Sequence, residues 1–270
     1  MLQTDSKGGL VMKNVSDLKV NYDFFSAEKT EDILILNFKE KPLARVIDLR
    51  GKKVLFDYLD FVSTCDEIKV VLMTGSPVKM GYDEFIKFYH QIIQLEWNQD
   101  QIERLYNAIN QFVLKIAEFN KSVIHADSGN IILLFMNISF AFDYSIIGDN
   151  TVFQNPNLQL GLVPKGGGIF FLSKMLGSRK TSEILFSEKD IDAQEALRLG
   201  IVNKVVPVNN LKEAALSIAQ KFAKIPVQYS SGIKKLLNYN ISDLKDYLEY
   251  ENTILRRVIQ SDNFKKSIGR

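Results

Sequence analysis

Short runs of consecutive apolar residues alternate, over the first two hundred positions, with stretches whose apolar residues recur every three or four places. The first pattern predicts buried strands and the second amphipathic helices. Ile33-Leu34-Ile35-Leu36-Asn37-Phe38, Ile68 to Met73 and Ser122 to Ala126 read as strands, the second stopped by Thr74-Gly75-Ser76-Pro77. Val54 to Val62 and residues 83–119 read as helix, the latter in two pieces joined at 95–98. Gly129 separates the third strand from an apolar stretch at 131–142, and residues 145–153 read as two short strands around a Gly-Asp-Asn turn. Gly166-Gly167-Gly168 precedes a helix from Ile169 to Leu176, with another turn or two at Thr181 to Ser187. Asp192, with Glu195 three residues on, forms a capping box, and Gly200 stands where a helix ends. After a last strand, Ile201 to Val206, only helices are predicted: Leu211 to Ile225, Pro226 to Asn240 and Ser242 to about Ile259.

The pattern therefore predicts an α/β protein in three parts: a loosely held arm at 1–20, an α/β core at 21–207 and a helical region at 208–270. The last part needs a surface to pack on, its own core or a neighbouring subunit, because isolated helices are marginal in water.

Composition narrows the function classes. Of 270 residues 46% are hydrophobic and 24% charged, and a formal net charge of +2 argues against nucleic acid or an anionic membrane as partner. The single cysteine, Cys65, excludes an intramolecular disulfide, and His90 and His125, the two histidines, lack metal-ligand spacing. No apolar run reaches the roughly 20 residues of a membrane-spanning helix, and Met1 to Lys19 lacks the apolar block of a secretory signal. A cytoplasmic protein without metal is the expectation.

The segment from Phe153 to Gly168, FQNPNLQLGLVPKGGG, follows the pattern F-x-x-P-E-x-x-x-G-x-x-P-x-x-G-G except at Asn157. It leads to Leu176-Gly177-Ser178-Arg179 and to Ile191-Asp192-Ala193-Gln194-Glu195-Ala196-Leu197-Arg198-Leu199-Gly200-Ile201-Val202. Upstream, Lys121-Ser122-Val123-Ile124 and Gly129 are similar to K-P-V-I-A-x-x-x-G. On these motifs the chain resembles the enoyl-CoA hydratase/isomerase (crotonase) family over roughly residues 25–260. The resemblance implies a crotonase-like (ClpP/crotonase) spiral of ββα units with a C-terminal helical trimerisation region, assembling as a homotrimer or homohexamer. It also implies an acyl-CoA or related thioester as ligand, with coenzyme A part of the substrate and no separate cofactor. Two backbone N–H groups would form an oxyanion hole for the thioester oxygen.

Carried over residue by residue, the resemblance places Tyr82, within Gly81-Tyr82-Asp83, at the first oxyanion donor. Leu134 takes the second, where Leu133-Leu134-Phe135 replaces a glycine triplet. A backbone N–H survives such replacement, but the close approach that glycine permits is put in doubt. The two glutamates of the family's hydratases fall on Asn137 and Asn157. An amide does not titrate near neutrality and cannot act as general base, so ordinary hydration is not expected. Tyr82 and Asp83 are the remaining candidates for proton chemistry, with packing and turn-capping as their plainer roles.

Other polar residues carry ordinary readings beside sharper ones. His125, on an apolar strand, reads as a core or groove residue, and Asp127 as a turn residue able to reach a site. Asp143 reads as structural, His90 as a helix-surface residue, and the glycine run as a tight turn, since it lacks the Lys-Ser/Thr of a phosphate loop. Two versions of function stay open. One is an enzyme of altered chemistry (decarboxylation, isomerisation or C–C bond hydrolysis) acting by enolate stabilisation; the other is a non-catalytic binding or regulatory protein. RNA binding through Lys174, Arg179 and Lys180 is a third class, against which the near-neutral charge argues.

Overall fold

The computed structural model describes residues 18–39, 49–76, 81–94 and 99–268. Its main sheet has seven strands: β1 (Val20–Asn21), β2 (Phe25–Thr30), β3 (Ile33–Phe38), β4 (Val70–Thr74), β5 (Ser122–Asp127), β7 (Tyr144–Gly148) and β10 (Lys204–Val206), adjacent in that order. The first three pair antiparallel; β3, β4, β5, β7 and β10 run parallel. Parallel pairing needs crossovers. The helix α1 (Leu49–Thr64) lies in the first, and α2 (Gly81–Gln94) and α3 (Gln99–Ala117) lie in the second. A second sheet of three strands, β6 (Asn130–Ile132), β8 (Val152–Gln154) and β9 (Ile191–Asp192), sits beyond the main one. It is linked to the short α4 (Leu133–Ser139), to α5 (Gly168–Phe186) and to α6 (Ala193–Arg198).

The predicted apolar runs are continuous because both faces of the parallel sheet are covered. Leu34, Leu36, Val71, Met73 and Val123 face Leu55, Tyr58, Leu59 and Val62 of α1 and Val113 and Ile116 of α3. Ile33, Ile35, Val70, Leu72, Ile124 and Ala126 pack against Ala215, Ile218 and Ala219 of α7 (Leu211–Ala223). The remaining helices are α8 (Val227–Leu237), α9 (Ile241–Ile259) and α10 (Asp262–Ile268). Part of the helical region thus packs on its own core: Leu255 and Ile259 of α9 and Phe264 of α10 join Phe85, Phe88, Leu105, Tyr106 and Leu134 in one apolar cluster.

The structure departs from the sequence reading in several places. The two short strands expected at 145–153 are present on either side of their turn, but in different sheets: β7 belongs to the large sheet, and β8 pairs with β6 and β9. The last strand is shorter, because Ile201 and Val202 are buried against the three-stranded sheet before the chain extends at Lys204. Strand β2, FSAEKT, was not expected, since its solvent side is polar and only Phe25 and Ala27 are buried. The end of the presumed arm is structural: Leu18 is buried and its carbonyl accepts from the Tyr58 hydroxyl at 2.7 Å. Residues 1–17 lie outside the described part. Helix α5 is kinked at Gly177, φ 76°, ψ 157°, which divides it as the sequence suggested. Asp192 caps α6, accepting from the Glu195 N–H at 2.8 Å, and Gly200 follows with φ 72°.

Candidate ligand site

Ligand crevices in parallel sheets form outside the carboxyl ends of the strands. There, Phe38 ends β3, Gly75 and Ser76 follow β4, and His125 and Asp127 end β5. These residues, with Ile131 and Ile132 of β6, Phe135 and Ile138 of α4, and Ala108, Ile109 and Phe112 of α3, surround a cavity of about 160 Å³. Its walls are almost wholly apolar. The volume is close to that of the roughly 150 Å³ engineered cavity known to take up benzene, so a group of about that size fits.

The residues singled out in the sequence are placed apart. Gly81 lines the cavity and Tyr82 is half-buried beside it, but the Tyr82 N–H donates to Gln154 Oε1 at 2.8 Å. The approach is close enough that a Cβ at Gly81 would overlap that oxygen, and Gly81 has φ 52°. Asp83 is exposed in the first turn of α2. Leu134 occupies the second turn position of α4, where a helix offers its N–H no carbonyl. The Leu134 side chain is buried among Phe85, Phe88, Leu105 and Ile109.

Neither asparagine lines the main cavity. Asn137 is completely buried; its Nδ2 donates to the Lys165 carbonyl at 2.9 Å, and its Oδ1 has no hydrogen-bond partner among the described residues. Gly168 is required here, because a Cβ would overlap the Asn137 carboxamide. Asn157 is buried too, its Nδ2 donating to Asn155 Oδ1 at 3.4 Å, a long hydrogen bond. It borders a separate gap of about 10 Å³ with Leu134, Tyr106 and Lys165, room for one water at most.

Beside that gap lies a buried polar group that the sequence did not single out. Lys165 Nζ donates to Glu251 Oε2 at 2.7 Å and to Asn110 Oδ1, and stands 5.8 Å from the centre of the Tyr106 ring. The Glu251 carboxylate also accepts from the Gly166 and Gly167 N–H groups at 3.0 and 3.1 Å. Burial pushes the Lys165 amine down from its usual range, against the pull of Glu251, and pushes the Tyr106 phenol well up. The group ties α3, α9 and the glycine turn together across 86 residues, a separation no local pattern reveals. Gln154 was equally hidden: nothing in its neighbours announces a bond 72 residues back.

Asp143 is structural. Its Oδ2 accepts from the Val123 N–H at 2.7 Å and pairs with Lys234 of α8 at 2.9 Å. His90 is half-buried on α2. Among the described residues no three His, Cys, Asp or Glu side chains are placed to hold a metal, and no helix is long and apolar enough to cross a membrane.

The fold has close counterparts. The enoyl-CoA hydratase of Bacillus halodurans superposes with a TM-score of 0.79, covering 92% of this chain and 99% of that one at 20% identity. A methylmalonyl-CoA decarboxylase gives 0.73, covering 92% and 95% at 19% identity. In sequence, the carnitinyl-CoA dehydratase of Citrobacter koseri is 36% identical over 107 residues, 40% of this chain and 41% of that protein. The match thus spans about two fifths of the relative's length. The crotonase fold expected from the motifs is therefore the fold observed, with a parallel sheet and C-terminal helices. The family model for enoyl-CoA hydratase/isomerase matches residues 56–270, and the chain belongs to that family.

Proposed function

We propose that the protein binds an acyl-CoA or related acyl-thioester, holding a short acyl group in the 160 Å³ cavity, and does not hydrate it in the family's usual way. The observation that carries this is the separation of the cavity from Asn137 and Asn157. The apolar cavity at the strand ends offers a place for an acyl group, while the positions that would supply acid and base are amides bonded elsewhere. Membership in an acyl-CoA-processing family, with a methylmalonyl-CoA decarboxylase and a carnitinyl-CoA dehydratase among its similar proteins, supports the ligand class. The test is a thermal-shift series with coenzyme A and short acyl-CoAs, since a ligand of the native state raises the melting temperature. The reading expects a shift with acetyl-CoA or butyryl-CoA that Ala108→Leu, which fills the cavity, reduces. No shift with any thioester contradicts it.

A second reading, enolate stabilisation by an oxyanion hole, has one observation in its favour. The Tyr82 N–H is already aimed at an amide oxygen, and Gln154 Oε1 stands in for the thioester oxygen that would replace it. Gln154→Ala should then raise turnover of a bound thioester; unchanged turnover removes this reading. Assembly as a homotrimer or homohexamer belongs to the same proposal. Tyr229, Ile233, Leu236 and Leu237 of α8 stand exposed, an apolar face of the kind that marks association. Light scattering should give a mass three or six times 30.8 kDa, and a monomer contradicts it.

A further inference from the structure

The start of α1 carries an amine to the wall of the cavity. Lys52, Leu55 and Phe56 stand three and four residues apart and so share one helix face, and all three line the cavity. Lys53, next in the chain, lies off that face, exposed and paired with Asp57 at 2.6 Å. Leu55 is buried, whereas Lys52 and Phe56 are half-buried together with Phe24 and Phe38, so this part of the wall borders solvent. The Lys52 amine lies 5.7 Å from the centre of the Phe56 ring. A lysine so placed lays its apolar stem along the wall and keeps its amine at the rim.

The other polar side chains of the wall are committed or unreactive. Ser76 donates to the Lys39 carbonyl at 3.2 Å. Asp127 accepts from the Ser128 N–H at 2.8 Å and stands 3.7 Å from His125 Nε2, and Glu84 is engaged as well. Asn130 carries an amide, which is not a nucleophile. Among the described residues no carboxylate holds the Lys52 amine in its charged form, and burial pushes it down from the usual lysine range. Desolvation of this kind is one way in which a lysine nucleophile is activated.

A cavity of about 160 Å³ admits a short acyl group and leaves coenzyme A outside, so the thioester carbonyl of a seated ligand lies at the rim. We propose that Lys52 is an acyl-acceptor site, its amine taking the acyl group from a thioester seated in the cavity. The inference rests on the acyl-thioester reading above. The neutral amine attacks the thioester carbonyl carbon. The N–C bond forms, the C–S bond breaks, and the amine proton passes to the departing thiolate. The products are an amide on Lys52 and free coenzyme A, with no change of oxidation state and no further reactant. The amide is stable, so the transfer runs once per chain and leaves the rim occupied.

Incubation of the full chain with butyryl-CoA, followed by intact-mass and peptide mass spectrometry, tests this. One butyryl group per chain is expected, on Lys52, gained about tenfold or more faster than on Lys53, as proximity to a seated thioester requires. Lys52→Arg should lose the fast transfer, and an unchanged melting temperature without ligand shows that this variant is folded. Ala108→Leu, which fills the cavity, should slow the transfer to Lys52 to the rate at Lys53. Equal rates at Lys52 and Lys53 in a native chain that binds butyryl-CoA in calorimetry overturn the inference and leave the acyl-thioester reading standing. Fast transfer to Lys52 that persists in Ala108→Leu also overturns it. Neither binding nor transfer overturns both.

Discussion

Asn137 and Asn157 differ in how firmly the surroundings hold them, and the difference sets what substitution can do. Asn137 is wedged against Gly168 and bonded to the Lys165 carbonyl; Asn157 makes one long bond beside a gap too small for substrate. Restoring both carboxylates, Asn137→Glu with Asn157→Glu, is therefore expected not to restore crotonyl-CoA hydration, because Leu134 and its neighbours fill the intervening space. A coupled spectrophotometric assay reads this directly, and a gain of roughly 10²-fold or more, the usual worth of one general acid or base, contradicts it. Leu134 itself is core, so Leu134→Ala should lower stability by about 2–5 kcal/mol in a denaturant titration. At this scale the motif around Pro156 and Gly161 located Asn157 and the run from Lys121 located Asn137, yet neither lines the cavity. What it could not show was Gln154 on the Tyr82 N–H, because a contact between distant segments leaves no local pattern.

Among elements, α9 is fixed to the glycine turn by a buried carboxylate. Glu251 accepts from Lys165, Gly166 and Gly167, and the Lys165 and Glu251 side chains are only 5% and 3% exposed. Glu251→Ala should cost about 3–5 kcal/mol, the range for removing one partner of a buried ion pair. Lys245→Ala, which removes the exposed pair with Glu118, should cost less than about 1 kcal/mol. Equal losses would show that the buried group is not holding the helix. Element types were largely readable because hydrophobic period reports burial: β3 and α9 show it plainly. The failures have the same cause. Strand β2 is half polar, and the division of β7 and β8 between two sheets leaves no mark in their own residues because sheet membership is decided by tertiary pairing.

Over the whole molecule the buried phenols make stability depend on pH. Tyr58, Tyr89 and Tyr106 are all raised, first by desolvation, and the Tyr58 hydroxyl also donates to the Leu18 carbonyl. A phenol raised in the folded state keeps its proton when the unfolded chain loses it, so stability falls as pH climbs above about 10. Three such groups give a limiting slope of about 4 kcal/mol per pH unit. Lys165 and Lys234 act oppositely below the lysine value of 10.5: burial holds their amines low, so stability gains as pH rises toward that value. Urea titrations from pH 8 to 11.5 should show little loss up to about 10 and a steep fall beyond. Tyr58→Phe should reduce the slope, and an unchanged slope contradicts the assignment.

The central claim, that the cavity at the strand ends holds the acyl group of a thioester, is tested most directly by calorimetric titration of the native chain with butyryl-CoA beside Ala108→Leu. Saturable binding by the native protein, weakened at least tenfold when Ala108 is enlarged, is the predicted result. Absence of binding at millimolar thioester, or binding that the filled cavity leaves unchanged, would contradict it.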